Sequence, residues 1–135
     1  MITATTDEEF ESQFRALFKE PDFRSVKNII YLWRTARPIP RLLGESDILY
    51  IGRTSRTFAG RYSPQKSMTL ERSFFTNVYC RAIETYGAIR IEIIESDDLV
   101  LKEATELKNY YEKHGELPPM NRQGFRAQLF EQTQK

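Results

Sequence analysis

Two short runs, Asn28-Ile29-Ile30-Tyr31-Leu32-Trp33 and Ile48-Leu49-Tyr50-Ile51-Gly52, constrain this chain more than any other feature. Each gathers β-branched and aromatic residues at consecutive positions, the composition of a strand. A third stretch, Ala88 to Ile94, alternates apolar Ile89, Ile91 and Ile93 with charged Arg90 and Glu92, the period of two that marks a half-buried strand. Between the first two runs, Thr35 to Asp47 carries Pro38, Pro40 and Gly44. Those breakers predict a long hairpin loop bearing Arg37 and Arg41.

Helices frame these strands. Thr6-Asp7-Glu8-Glu9 reads as a capping box, and Phe10, Phe14 and Leu17 follow at helical spacing until Pro21, which predicts an amphipathic helix over about residues 7–19. Ser55 to Tyr62 predicts a short helix carrying Arg61, ended by Ser63-Pro64. Leu70, Phe74, Val78 and Ala82 recur at four-residue intervals before Gly87, predicting a longer helix from about Thr69 to Tyr86. Asp97 or Asp98 caps a last helix reaching His114 and closed by Gly115, after which Leu117-Pro118-Pro119-Met120-Asn121 is extended. His114, at a helix end, suits the dipole there better than it suits catalysis.

On that last helix, Val100, Ala104, Leu107 and Tyr111 define the expected buried stripe. At about 100° per residue, Glu103 lies roughly 70° from its centre and Glu106 roughly 130°. Glu103 therefore flanks the core and Glu106 points toward solvent. The order α-β-β-α-α-β-α predicts one α+β domain, with residues 1–27 as a helical extension, 28–122 as the domain proper and 123–135 as a tail.

Composition narrows the function classes. With 135 residues, 40% of them hydrophobic and 17 aromatic, the chain can bury a real core and lies outside the disordered and fibrous classes. The single cysteine, Cys80, excludes an internal disulfide and a thiolate zinc site, which fits a reducing compartment. Neither an 18-residue apolar run nor a basic-then-apolar start appears, so a cytoplasmic protein without a membrane segment is expected. The formal net charge of +1 announces no nucleic-acid binder, but its distribution is informative. Arg34, Arg37, Arg41, Arg53, Arg56 and Arg61 face only Glu45 and Asp47 between residues 34 and 61, a candidate anion-binding segment. From Glu92 to Glu116 the sign reverses, and a carboxylate there could hold a divalent cation.

Taken together and in this order, Ile30-Tyr31, Tyr50-Ile51-Gly52-Arg53-Thr54, Arg61, Glu103 and Pro118-Pro119-Met120-Asn121 resemble the GIY-YIG endonuclease family. The resemblance covers about Asn28 to Asn121. The second motif is literal at Tyr50-Ile51-Gly52, and Arg61 follows eleven residues after Tyr50. The first motif is degenerate around Ile30, the connection between the motifs is longer than the family's, and Gln65 stands where a histidine or tyrosine is common, with Tyr62 as a substitute.

The resemblance implies a small three-stranded antiparallel sheet flanked by helices, here with an extra N-terminal helix. It also implies metal-dependent hydrolysis of DNA by direct attack of water. On that reading Glu103 binds Mg²⁺ or Mn²⁺, Arg61 and Arg53 contact the scissile phosphate, Tyr31 or Tyr50 takes the proton of the water, and Asn121 orients a tyrosine or locks the final turn. A tyrosine has an ordinary pKa of about 10, so acting as base at neutral pH depends on a nearby metal and arginines. Arg37, Arg41 and Arg56 are further candidate contacts to the DNA backbone.

The alternative is a nucleic-acid-binding domain of the same fold with attenuated catalysis. About 27 residues before the motif region and 14 after it leave no room for a separate sequence-reading module. Low sequence specificity, a structure-selective substrate or a targeting protein partner is expected, and a double-strand break would take a homodimer or two encounters.

Overall fold

The computed structural model describes residues 1–63 and 69–121, with only the backbone described for 69–77. The elements are α1 (Asp7–Leu17), α2 (Pro21–Ser25), β1 (Ile29–Pro40), β2 (Glu45–Thr54), α3 (Phe58–Tyr62), α4 (Thr69–Tyr86), β3 (Ile89–Glu95) and α5 (Leu99–His114). The fold is α+β. Its three strands form one antiparallel sheet in the order β2-β1-β3, with Tyr31 opposite Gly52 on one side and Ile93 on the other. No helix among the described residues is long and apolar enough to cross a membrane.

The expected loop between the first two strands is instead a two-stranded arm. β1 runs on to Pro40 and β2 starts at Glu45, leaving a tight turn in which the Arg41 N–H donates to the Gly44 carbonyl at 2.9 Å. The prolines are tolerated because β3 ends its pairing at Thr35, so beyond that point β1 has a neighbour on one side only. The register is also irregular between Arg34 and Ile39, which brackets Pro38.

At the start of the chain, the Thr6 side chain accepts from the Glu9 N–H at 3.4 Å, and α1 ends at Leu17 rather than Lys19. Pro21, expected to end the first helix, instead opens α2, where a missing N–H costs nothing. Ile2 exchanges two backbone hydrogen bonds with Ile89, and Phe10, Phe14, Leu17 and Phe23 are all buried. The N-terminal extension thus fills the core on one face of the sheet, around Tyr31, Trp33 and Phe58. Fully burying one such ring is worth about 2–3 kcal/mol.

On the other face, Ile30, Leu32 and Ile51 pack with Leu107 of α5 and with Leu117. Because side chains alternate along a strand, Tyr31 and Ile30 commit their neighbours to opposite layers. Asp98 caps α5 through the Leu101 N–H at 3.1 Å, and Gly115 ends it in the left-handed conformation at φ 73°.

Candidate active site

Tyr31 and Gly52 sit directly opposite each other on β1 and β2. A Cβ on Gly52 would lie 2.4 Å from Cε2 of Tyr31 and 2.7 Å from its hydroxyl. The phenol therefore leans across β2 in the space that the glycine leaves, toward the strand's outer edge. The same ring meets Phe58 edge-on at 5.5 Å, Tyr62 at 5.7 Å and Tyr50 at 6.1 Å. Tyr31 is 1% exposed, whereas Tyr50 is half-buried and is the more accessible phenol.

α3 brings Arg61 to this side. Thr57 caps the helix by accepting from the Gly60 N–H at 2.9 Å, and Phe58 anchors it in the core. The Arg61 guanidinium lies 5.0 Å from the centre of the Tyr62 ring, an attractive geometry for a cation over an aromatic face. Burial pushes the Tyr62 phenol well above its ordinary range, and its contact and hydrogen bond with Tyr31 push the same way. Tyr62 thus keeps its proton, which it can offer to the Tyr31 oxygen.

Arg53 pairs across the ladder with Ile30 and so faces the α5 layer. Its Nε lies 3.4 Å from Oε1 of Glu103. The buried stripe of α5 is not the expected one: Leu107, Tyr110 and His114 are buried, while Val100 is 65% exposed and Ala104 is exposed. The stripe follows Leu99, Glu103, Leu107, Tyr110 and His114, so the helix is rotated and Glu103 stands in line with the buried positions, its side chain 19% exposed. The rotation is set by Leu107 and Tyr110 entering the sheet layer and by the ion pair with Arg53. Glu106 is bound to Lys102 at 3.0 Å. Burial holds the Glu103 carboxyl above the ordinary carboxylate range, and Arg53 pulls it the other way.

Asn121 joins the two layers at the outer edge of β2. Its Oδ1 accepts from the Ile51 N–H at 3.1 Å and its Nδ2 donates to the Ile51 carbonyl at 2.9 Å, so one side chain imitates a neighbouring strand. The Met120 N–H donates to the Leu49 carbonyl at 3.0 Å in the same direction.

The named residues thus form two groups. Tyr31, Tyr50 and Arg61 lie with Tyr62 on the aromatic side of the sheet; Arg53 and Glu103 lie on the α5 side; Asn121 caps the strand edge between them. A substrate that meets both groups has to lap over the β2 edge.

The remaining arginines differ in availability. Arg56 is exposed. The Arg41 guanidinium donates at 2.7 Å to both the Glu116 carboxylate and the Leu117 carbonyl, and Arg37 donates to the Thr85 carbonyl at 2.9 Å. Both are structural ties of the arm rather than free phosphate contacts. His114 is buried with its Nδ1 2.9 Å from the Leu43 carbonyl, so it fastens the arm's turn to α5. Gln65 and residues 123–135 lie outside the described residues.

A divalent cation of the Mg²⁺ or Mn²⁺ kind takes one or two carboxylates and fills its shell with water and substrate oxygens. Glu103 fits one such ligand: its carboxylate is held by α5, partly shielded, and reaches Arg53 at the strand edge. Among the described residues no three His, Cys, Asp or Glu side chains gather into a metal-binding group. An ion held here would rest on one carboxylate and on oxygens brought by the substrate.

The motif residues were visible in the sequence, but the Arg53–Glu103 pair and the phase of α5 were not read from it. The spacing Leu99, Glu103, Leu107, Tyr110, His114 carries that phase, since it repeats every three to four residues as well as Val100, Ala104, Leu107 and Tyr111 do. Comparison with protein-family models, curated proteins and solved structures found no match.

Proposed function

We propose that the chain is a metal-dependent endonuclease of GIY-YIG type that hydrolyses DNA phosphodiester bonds by direct attack of water, with low sequence specificity or selectivity for DNA structure. One observation carries the reading: the Tyr50-Ile51-Gly52 segment is met on its face by Tyr31 and on its edge by Asn121, two residues far from it in sequence.

On this reading Arg61 grips the scissile phosphate from the aromatic side. Tyr50, acting as the phenolate after giving its own proton to solvent, accepts a proton from the water as the water oxygen bonds to phosphorus. The P–O bond to the leaving sugar oxygen breaks, and that oxygen takes a proton from solvent. Tyr31, hydrogen-bonded with the protonated Tyr62, positions Tyr50 from behind. Arg53 keeps Glu103 ionised and adds a second positive group. Glu103 would hold the Mg²⁺ or Mn²⁺, which when bound neutralises charge on the phosphate oxygens. The free, buried Cys80 suits a reducing intracellular setting.

A second reading, a DNA-binding domain with attenuated catalysis, is favoured by the burial of Tyr31 and by the pairing of Glu103 with Arg53. Nicking of supercoiled plasmid with Mg²⁺ or Mn²⁺ decides between them. The enzyme reading expects cleavage by the wild type and a loss of 100-fold or more in Glu103→Ala and Arg61→Ala. Tight, salt-sensitive DNA binding by all three proteins with no cleavage would leave only the second.

A further inference from the structure

Resting on that reading, we infer that the joint between α2 and β1, which belongs to the N-terminal extension, is part of the DNA-binding surface, with Arg24 and Lys27 gripping backbone phosphates beside Arg56 and Arg61. The packing brings these four cations to one seam. α2 lies against α3 through Phe23 and Phe58, whose rings are 5.0 Å apart. That contact sets Arg24, in the last turn of α2, beside the helix that carries Arg61. Immediately after Lys27, the Asn28 N–H donates to the Ser55 carbonyl at 3.3 Å, which places Lys27 next to the loop that holds Arg56.

Arg24, Lys27 and Arg56 are exposed, and none of the four has a carboxylate partner among the described residues. The sequence has no acid from Phe23 to Gly44 or from Ile48 to Ser63, so the only acids at α2 are its N-cap Glu20 and Asp22 at its start, before Arg24 and Lys27. The opposite flank differs. The Ser96 N–H donates to the Asn28 carbonyl at 2.9 Å and leads into Asp97 and Asp98, which bound the positive surface on that side. A polyanion laid on the seam is thereby directed toward α3 and the outer edge of β2 rather than toward β3. Four cations without a carboxylate partner among the described residues, on neighbouring elements and with an acidic border, suit the phosphates of a duplex backbone.

The experiment measures binding of a fluorescent 20-base-pair DNA duplex against salt, for the wild type, Arg24→Ala/Lys27→Ala, and Lys108→Ala as an exposed cation on α5 away from the seam. Circular dichroism and melting temperature confirm that each variant is folded. Each phosphate contact contributes about 0.9 to the slope of log affinity against log salt, so the double variant is expected to lower the slope by nearly 2 and to weaken binding at least tenfold at 0.1 M salt. Lys108→Ala leaves both unchanged, and its nicking rate at saturating DNA stays that of the wild type. A double variant with the wild-type slope, in a protein that binds and nicks, overturns this inference alone. A wild type with no salt-dependent affinity for DNA overturns the endonuclease reading together with it, and tighter binding of an RNA duplex of the same sequence overturns the choice of DNA.

Discussion

The two faces of the sheet are built from different chemistry. On one, Tyr31, Trp33, Phe58, Tyr62 and Phe14 meet ring to ring at 5–6 Å, so each phenol is positioned by several neighbours at once. On the other, aliphatic Ile30, Leu32, Ile51 and Leu107 pack together, and the Arg53–Glu103 ion pair joins β2 to α5 on the same side. The first face is over-determined and tolerates little change. The second holds a partly buried carboxylate whose desolvation disfavours folding.

Removing an aromatic anchor gives the largest effect. Phe58 is fully buried, with five ring neighbours at 4.8–6.3 Å, so Phe58→Ala is expected to lose about 4 kcal/mol in denaturant unfolding. Gly52→Ala follows. Its methyl would overlap a Tyr31 ring that Phe58 and Tyr62 keep from moving, and a loss of about 2–3 kcal/mol with a shifted tyrosine signal in near-ultraviolet circular dichroism is predicted. A Gly52→Ala protein as stable as the wild type would show that the aromatic face is not rigid.

Asn121→Ala removes two hydrogen bonds from the edge of β2 and is expected to cost about 1–2 kcal/mol and to speed hydrogen exchange at Ile51. The smallest effect has the opposite sign. Because burial raises the Glu103 carboxyl pKa, its protonated form favours the fold, and that stability is lost as pH rises through the folded-state value. Glu103→Gln carries no such charge, so its melting temperature should exceed the wild type's at pH 7, by less than about 1 kcal/mol in stability, and the gap should close below about pH 4. Equal melting curves at both pH values would mean that Glu103 is as well solvated as a surface carboxylate.

The strands, long helices and caps were legible because each carries a local signal: the alternation at Ile89 to Ile93, the capping Thr6 and Asp98, the terminating Gly115. The arm was not, because Pro38 and Pro40 break strands in general and only the short reach of β3 makes them harmless here. The site was half legible. Tyr50-Ile51-Gly52 and Asn121 could be picked out by type and order, but their meeting at one edge depends on the path of the segment after α5. The rotation of α5 could not, since Val100 and Leu101 are apolar yet exposed, and only contact with the sheet chooses between Ala104 and Glu103 as the inward position.

On the proposed function, groups on both faces act on one phosphodiester across the edge of β2. Single-turnover nicking by Tyr50→Phe, Glu103→Gln and the double variant tests it most directly. Each single variant is expected to slow nicking at least 100-fold, with the double little slower than the worse single, as for groups that serve one transition state. A wild-type rate in either single variant would contradict it.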